Sequence, residues 1–291
     1  MFQKNRRFEI SASILLVIII SVLTTFFLMK LNKEPEIDPN LNIVDAEEEE
    51  SEPEHIDPQE ELLQSLRPVT NVPSSNCTIK YGYLMLINPN FTVDTGFIDA
   101  RRDELVSISS LYGIKEGNPR NGDNLLDAEA AKHINEMVKA YEAEYPGHTF
   151  VTRSCYRARG TACGRLCAAT GASDHHTGLT CDLLDPAYGT SLDTDTLGQH
   201  IDWQWLKTNS YKYGFNDRFP EAWAGGPMSE PLNVDENGST GVFETWHYRY
   251  VGVVHATNIA TGKYNNGEYD SLEHYLKSLD LVKNLKTGEC E

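Results

Sequence analysis

Between Ile10 and Met29 run twenty consecutive residues without a single charge, dominated by Ile, Leu, Val and Phe. A helix through this stretch has no polar face, so it does not fit one side of an amphipathic core helix. At about 1.5 Å per residue it is long enough to cross a hydrocarbon layer of about 30 Å. Lys4, Arg6 and Arg7 precede it, and the positive-inside rule then puts the N-terminus in the cytoplasm. Lys30 and Lys33 weaken that asymmetry without reversing it. A cleaved signal peptide is the competing reading. The apolar run is longer than a usual signal core, however, and no small-x-small cleavage pattern follows it. The expectation is a single-pass cell-membrane anchor over residues 1–33, with the rest of the chain on the extracytoplasmic side.

The next segment, 34–75, has no hydrophobic period. Glu34 to Glu61 holds thirteen Asp and Glu and no Lys or Arg, which leaves about −5 of the formal charge of −18 for everything else. Such a segment buries too little apolar surface to offset its ordering entropy, and reads as a disordered, self-repelling linker. The acidity therefore belongs to a tether, not to the fold. No basic face remains that would release counterions from a phosphate backbone, so nucleic acid is excluded as a partner. All six cysteines (Cys77, Cys155, Cys163, Cys167, Cys181 and Cys290) follow the anchor, as expected for a disulfide framework in an oxidising compartment. Sequence alone does not choose their pairing. A cysteine-based zinc site is the sharper alternative, but the chain has no CxxC pair.

Residues 76–291 read as one globular domain. Tyr81 to Asn88 is apolar and is read as a strand, ended by Asn88-Pro89-Asn90. Asp127 is placed to cap a helix whose apolar residues Ala128, Ala131, Ile134, Met137, Val138 and Tyr141 recur at spacings of three and four. Strands are expected at Thr149 to Tyr156, which delivers Arg157 to its end, at Leu179 to Leu184, and at Phe243 to Val251. Trp203 to Tyr213, His255 to Thr261 and Ser271 to Leu281 read as helices. Strands and helices mixed without βαβ spacing predict an α+β domain, with a central antiparallel sheet flanked by helices.

Two segments carry the chemistry. The first runs Ser173-Asp-His175-His-Thr-Gly178-Leu-Thr180-Cys-Asp182, the second Phe243-Glu244-Thr-Trp-His247-Tyr-Arg-Tyr-Val-Gly252. Catalytic zinc takes three N or O ligands and an open position, and needs a carboxylate nearby that does not ligate. His175, Asp182 and His247 supply the ligands and Glu244 the general base. In a regular strand Glu244 and His247 would point to opposite faces. A bend or bulge at Thr245 or Trp246 is therefore predicted, with Trp246, Tyr248 and Tyr250 packed as core.

These two segments resemble the signatures of the VanY-type D-alanyl-D-alanine carboxypeptidases of the zinc D,D-peptidase family. Those signatures read Ser-x-His-x-x-Gly-x-Ala-x-Asp, then Glu-Pro-Trp-His-Tyr-Arg-Tyr-Val-Gly. The similarity extends over about 80–281, through Leu86-Ile-Asn88, Ser154-Cys-Tyr-Arg157, Trp205-Leu206, Tyr213-Gly-Phe215, Arg218-Phe-Pro220 and Ser271-Leu-Glu-His-Tyr-Leu276. It implies a Zn2+ site of His175, Asp182 and His247, with Glu244 as base. It also implies that Arg157 stabilises an oxyanion or engages substrate, and that Ser173 contacts substrate. Thr180 and Thr245 depart from the family's alanine and proline. The stretch between Arg157 and Ser173 departs most, and Cys163 and Cys167 there suggest a short disulfide-stapled loop that reshapes the pocket. Arg159 or Arg165 would then receive a peptide's terminal carboxylate.

The resemblance implies a hydrolase that removes the last D-alanine from peptidoglycan stem peptides, and a monomer is expected. Two alternatives stay open: an L,D-carboxypeptidase acting on tetrapeptide stems, and a zinc-bearing wall-binding or sensory module without turnover. A general base at Glu244 has no purpose in the second.

Overall fold

The computed structural model describes residues 70–71, 74–116, 124–160, 168–188, 201–223, 234–239 and 243–291. These all fall in one compact unit. The predicted membrane anchor and nearly all of the acidic linker lie outside the described residues. Among the described residues no helix is long and apolar enough to cross a membrane.

The unit opens with a 3-10 helix at Cys77–Leu84 where a strand is expected from the apolar run. The Asn76 side chain caps it, accepting from the Thr78 amide. Leu84 to Ile87 then run fully buried outside any ladder. Several backbone groups of this stretch and the residue before it are met by side chains instead. Thr78 Oγ1 accepts from the Leu86 amide, Asn76 Nδ2 donates to the Leu86 carbonyl, and Arg249 Nη2 donates to the Tyr83 and Met85 carbonyls. Polar side chains thus replace a neighbouring strand.

Helix α1 (Thr95–Asp103) is followed by strand β1 (Val106–Ser107), helix α2 (Ile108–Tyr112) and strand β2 (Leu125–Leu126), which pairs with β1. Helix α3 (Ala128–Glu144) starts at its predicted cap, where the Asp127 carboxylate accepts from the Glu129 amide. It buries Ala131, Ile134, Met137, Val138 and Tyr141 against the main core. Next come β3 (Val151–Ser154), β4 (Thr180–Leu184), α4 (Ile201–Asn209), β5 (Phe215–Asp217) and β6 (His247–Tyr250). Helices α5 (Val253–Ala260) and α6 (Leu272–Ser278) precede the hairpin of β7 (Val282–Asn284) and β8 (Glu289–Cys290).

The central sheet has four strands in the order β3-β4-β6-β5, all antiparallel, in agreement with the α+β expectation. Its register places Ser154 opposite Asp182, and Asp182 opposite His247. Disulfides join Cys155 to Cys181 and Cys77 to Cys290. The first ties the ends of β3 and β4 together, and the second ties the entry of the domain to its C-terminus. Cys163 and Cys167, and with them the expected stapled loop, lie outside the described residues.

Candidate metal centre

Three local features bring the proposed ligands together. His175 sits in a single 3-10 turn, Asp174–Thr177, immediately before β4. Gly178 closes that turn at φ 66°, where a Cβ would lie 2.5 Å from the Leu105 side chain. Only glycine both adopts the left-handed conformation readily and leaves that space. Two residues into β4, Asp182 faces His247 across the β4–β6 pairing.

His175 Nε2 lies 3.4 Å from Asp182 Oδ1, and His247 Nδ1 lies 3.6 Å from the same oxygen. All three ligand atoms fall within 4.8 Å of one another. Two ligands about 2.0–2.1 Å from a tetrahedral zinc are separated by roughly 3.4 Å, so the donor set fits that ion. His175 Nε2 and Asp182 Oδ1 are buried and have no hydrogen-bond partner. Such atoms are expensive to leave unpaired unless something else meets them.

The surroundings set the protonation of each ligand. His175 Nδ1 lies 2.6 Å from the Cys155 carbonyl, which accepts its proton and leaves Nε2 with a free lone pair. Burial, with the Arg157 charge, brings the His175 pKa down to about 4, so the ring is neutral at physiological pH. Burial alone would raise the Asp182 carboxyl, but His175, Arg157 and His247 outweigh it and hold the group ionised. Arg157 Nη2 donates to Asp182 Oδ2 at 2.9 Å, and its Nε donates to Ser154 Oγ. One oxygen of Asp182 is thereby pinned while the other faces the site. His247 behaves in the opposite way. Burial opposes its charge, but the Asp174 and Glu244 carboxylates raise its pKa to about 9. The Glu244 Oε2 atom is 2.9 Å from His247 Nδ1, the nitrogen that faces Asp182.

The predicted irregularity is present. Residues 245–246 form a turn, the His247 amide donates to the Glu244 carbonyl at 3.3 Å, and β6 begins only at His247. The strand expected over 243–251 is thus half as long, because the turn is what brings Glu244 beside the ligand three residues on. Trp246, Tyr248 and Tyr250 are buried, as expected.

A family model described as VanY, D-alanyl-D-alanine carboxypeptidase, matches residues 123–253, which contain every side chain of this centre. Residues 123–253 are thus similar to the VanY family. Among curated relatives, a D-alanyl-D-alanine carboxypeptidase of Enterococcus faecium is 28% identical over 222 residues, 72% of this chain and 63% of the relative. One from Enterococcus faecalis (strain ATCC 700802 / V583) is 35% identical over 113 residues, 38% of this chain and 32% of the relative. The chain therefore spans less than two thirds of the length of these relatives. Among solved structures, the LdcB LD-carboxypeptidase superposes with a TM-score of 0.52 at 23% identity, covering 68% of this chain and 86% of that one. That similarity is one of fold.

The residues predicted from the sequence fall in different places. His175, Asp182, His247 and Glu244 converge. Arg157 reaches the same centre, bonded to Asp182. Ser173 is buried at the head of the turn that carries His175, without capping it. Arg159 does not point inward; it pairs on the surface with Asp99 at 3.2 Å. Arg165 lies outside the described residues. His176 is buried, its Nδ1 2.7 Å from the Arg157 carbonyl, and it is not among the three residues whose ligand atoms converge. Asp185 ends β4 and accepts from Tyr141, away from the metal ligands. Sequence reasoning missed Asp174, Arg218, Arg249 and Glu273, which form a fully buried ionic cluster beside His247.

Proposed function

We propose that the domain is a zinc-dependent carboxypeptidase that removes the terminal D-alanine from peptidoglycan stem peptides ending in D-Ala-D-Ala. The observation that carries this reading is the convergence of two imidazoles and one carboxylate, with a second carboxylate, Glu244, beside them and outside the ligand set. A binding module needs no such carboxylate. Bound zinc would act as a Lewis acid and bring the pKa of a ligated water towards 7.

Glu244 takes the proton from the attacking water and returns it to the departing amine of D-alanine. His175, Asp182 and His247 hold the metal. Arg157, fixed by Ser154 and Asp182, sets a permanent positive charge beside the carbonyl oxygen that becomes anionic, which is electrostatic stabilisation by a preorganised group. Ser173 contacts the peptide at the mouth of the turn. In the same proposal the chain is anchored by Ile10 to Met29 with its catalytic domain outside the membrane, acting as a monomer. The two disulfides support an oxidising setting.

The test is hydrolysis of defined stems by the zinc-loaded protein. Release of D-alanine from the pentapeptide, abolished by chelator and restored by zinc, is the expected result. Glu244→Gln should retain zinc and lose about 10²–10⁴-fold in kcat. Cleavage of the tetrapeptide alone would move the specificity to L,D-bonds. Zinc binding without cleavage of either stem would leave a binding module.

A further inference from the structure

The two ring nitrogens of His247 face different carboxylates. Nδ1 faces Asp182 and Glu244, whereas Nε2 lies 3.6 Å from Asp174 Oδ2. That is an ion-pair separation and too long for a hydrogen bond, and Nε2 is a buried nitrogen with no hydrogen-bond partner. Once Nδ1 gives its lone pair to a metal, a neutral imidazole can carry its proton only on Nε2. Among the described residues, the acidic side chain paired with that nitrogen is Asp174.

Asp174 is held much more firmly than a solvating carboxylate. Arg249 Nη1 donates to Oδ1 at 2.6 Å, and Thr180 Oγ1 donates to Oδ2 at 2.8 Å. Arg218 Nε stands 3.3 Å from the same Oδ2. Arg218 is in turn fixed by two bonds to Glu273, at 2.8 and 2.9 Å. Arg218, Arg249 and Glu273 are fully buried. Two buried arginines and two buried carboxylates form a neutral unit that stays intact only if all four remain. Its side-chain contact with His247 runs through Asp174, while the Arg218 amide donates to the His247 carbonyl at 3.0 Å.

We propose that Asp174 is a positioning residue for the metal centre: its carboxylate, at ion-pair distance from His247 Nε2, favours the ring proton on that nitrogen and so keeps Nδ1 towards the ion. The proposal rests on the metal-centre reading above. One dipeptide then does two jobs, since His175 binds the metal and Asp174 orients the ligand arriving from the other segment. Thr180, one of the chain's departures from the family pattern, supplies one of the bonds that aim Asp174. A carboxylate in this place also makes the ligand ring more basic, as outer partners of metal-bound histidines do.

The test uses the full chain and zinc itself, with affinity read by competition against a chromophoric chelator. Asp174→Asn should weaken zinc binding by about 10–100-fold. Asp174→Glu, which restores the charge, should recover part of the loss. Glu273→Gln leaves Asp174 its bonds from Arg249 and Thr180, and should lower thermal stability while weakening zinc binding less than Asp174→Asn does. Should Asp174→Asn not fold, the wild-type zinc-loaded protein decides the matter through its histidine nitrogen NMR spectrum. A slowly exchanging proton on His247 Nε2 is expected. Wild-type zinc affinity in folded Asp174→Asn, or coordination of His247 through Nε2, would overturn the proposal. A wild-type chain that binds no zinc would overturn the metal-centre reading with it.

Discussion

Asp217, at the end of β5, gives a sharp test of the electrostatics of this fold. Its carboxyl is buried, and Oδ1 has no hydrogen-bond partner. Burial dominates, Glu244 adds to it, and the opposing effects of His247 and Lys207 do not restore the balance, so the pKa is pushed up to about 7. In the unfolded chain an aspartate titrates near 3.9. Below about pH 4 both states hold the proton. Between about pH 4 and 7 the unfolded chain releases it and the folded chain does not, so stability falls as pH rises through this window. The full loss has a ceiling of about 4 kcal/mol, at roughly 1.4 kcal/mol for each unit separating the two pKa values. Asp217→Asn cannot ionise and carries none of this slope. Urea unfolding of both proteins at pH 4.5 and 7.5, with chelator present, measures the difference directly. Chelator matters because a nearby divalent cation favours the ionised carboxylate and narrows the window. The variant's stability relative to the wild type should be greater at pH 7.5 than at pH 4.5 by at least 1–2 kcal/mol. Parallel pH profiles would refute the reasoning.

Without metal, the raised pKa of His247 means the ring is protonated at neutral pH, so zinc arriving at Nδ1 must displace a proton. Calorimetry at pH 7 in buffers of different ionisation enthalpy should show close to one proton released, and affinity should weaken as pH falls; zero release contradicts the assignment. The Cys155–Cys181 disulfide closes a separation of 26 residues, for which chain entropy gives roughly 3–4 kcal/mol. Cys155→Ala/Cys181→Ala should lose about that much in urea unfolding. It should also bind zinc more weakly, because the Cys155 carbonyl holds His175 and Cys181 adjoins Asp182; unchanged zinc affinity would separate the disulfide from the site.

The ligands were legible because their chemistry is local. Ser173 to Asp182 is a turn, a glycine and a strand in ten residues, and Glu244 to His247 is one turn of chain. The start of α3 was legible for the same reason, since Asp127 caps its own helix. The run from Tyr81 to Asn88 misled because it is largely buried while part of its hydrogen bonding goes to side chains, among them Arg249, over 160 residues away. Hydrophobic pattern records burial and says nothing of such partners. The ionic cluster was hidden likewise. Asp174, Arg218, Arg249 and Glu273 stand in four separate segments, and only the register of β4, β5 and β6 with the placement of α6 brings them together. Arg218-Phe-Pro220 and Ser271 to Leu276 stood out as motifs, but nothing in either segment named Asp174 as their common target. The Cys155–Cys181 pairing follows from β3 lying beside β4, a fact that spacing alone does not contain.

The central claim is that one zinc ion is held by His175, Asp182 and His247 with Glu244 left uncoordinated. Anomalous diffraction at the zinc edge from crystals of the zinc-loaded protein tests it most directly. A single peak about 2.0–2.2 Å from His175 Nε2, Asp182 Oδ1 and His247 Nδ1, with the Glu244 carboxylate beyond bonding distance, is the predicted result. A peak elsewhere, or one that takes Glu244 as a ligand in place of any of the three, would contradict it.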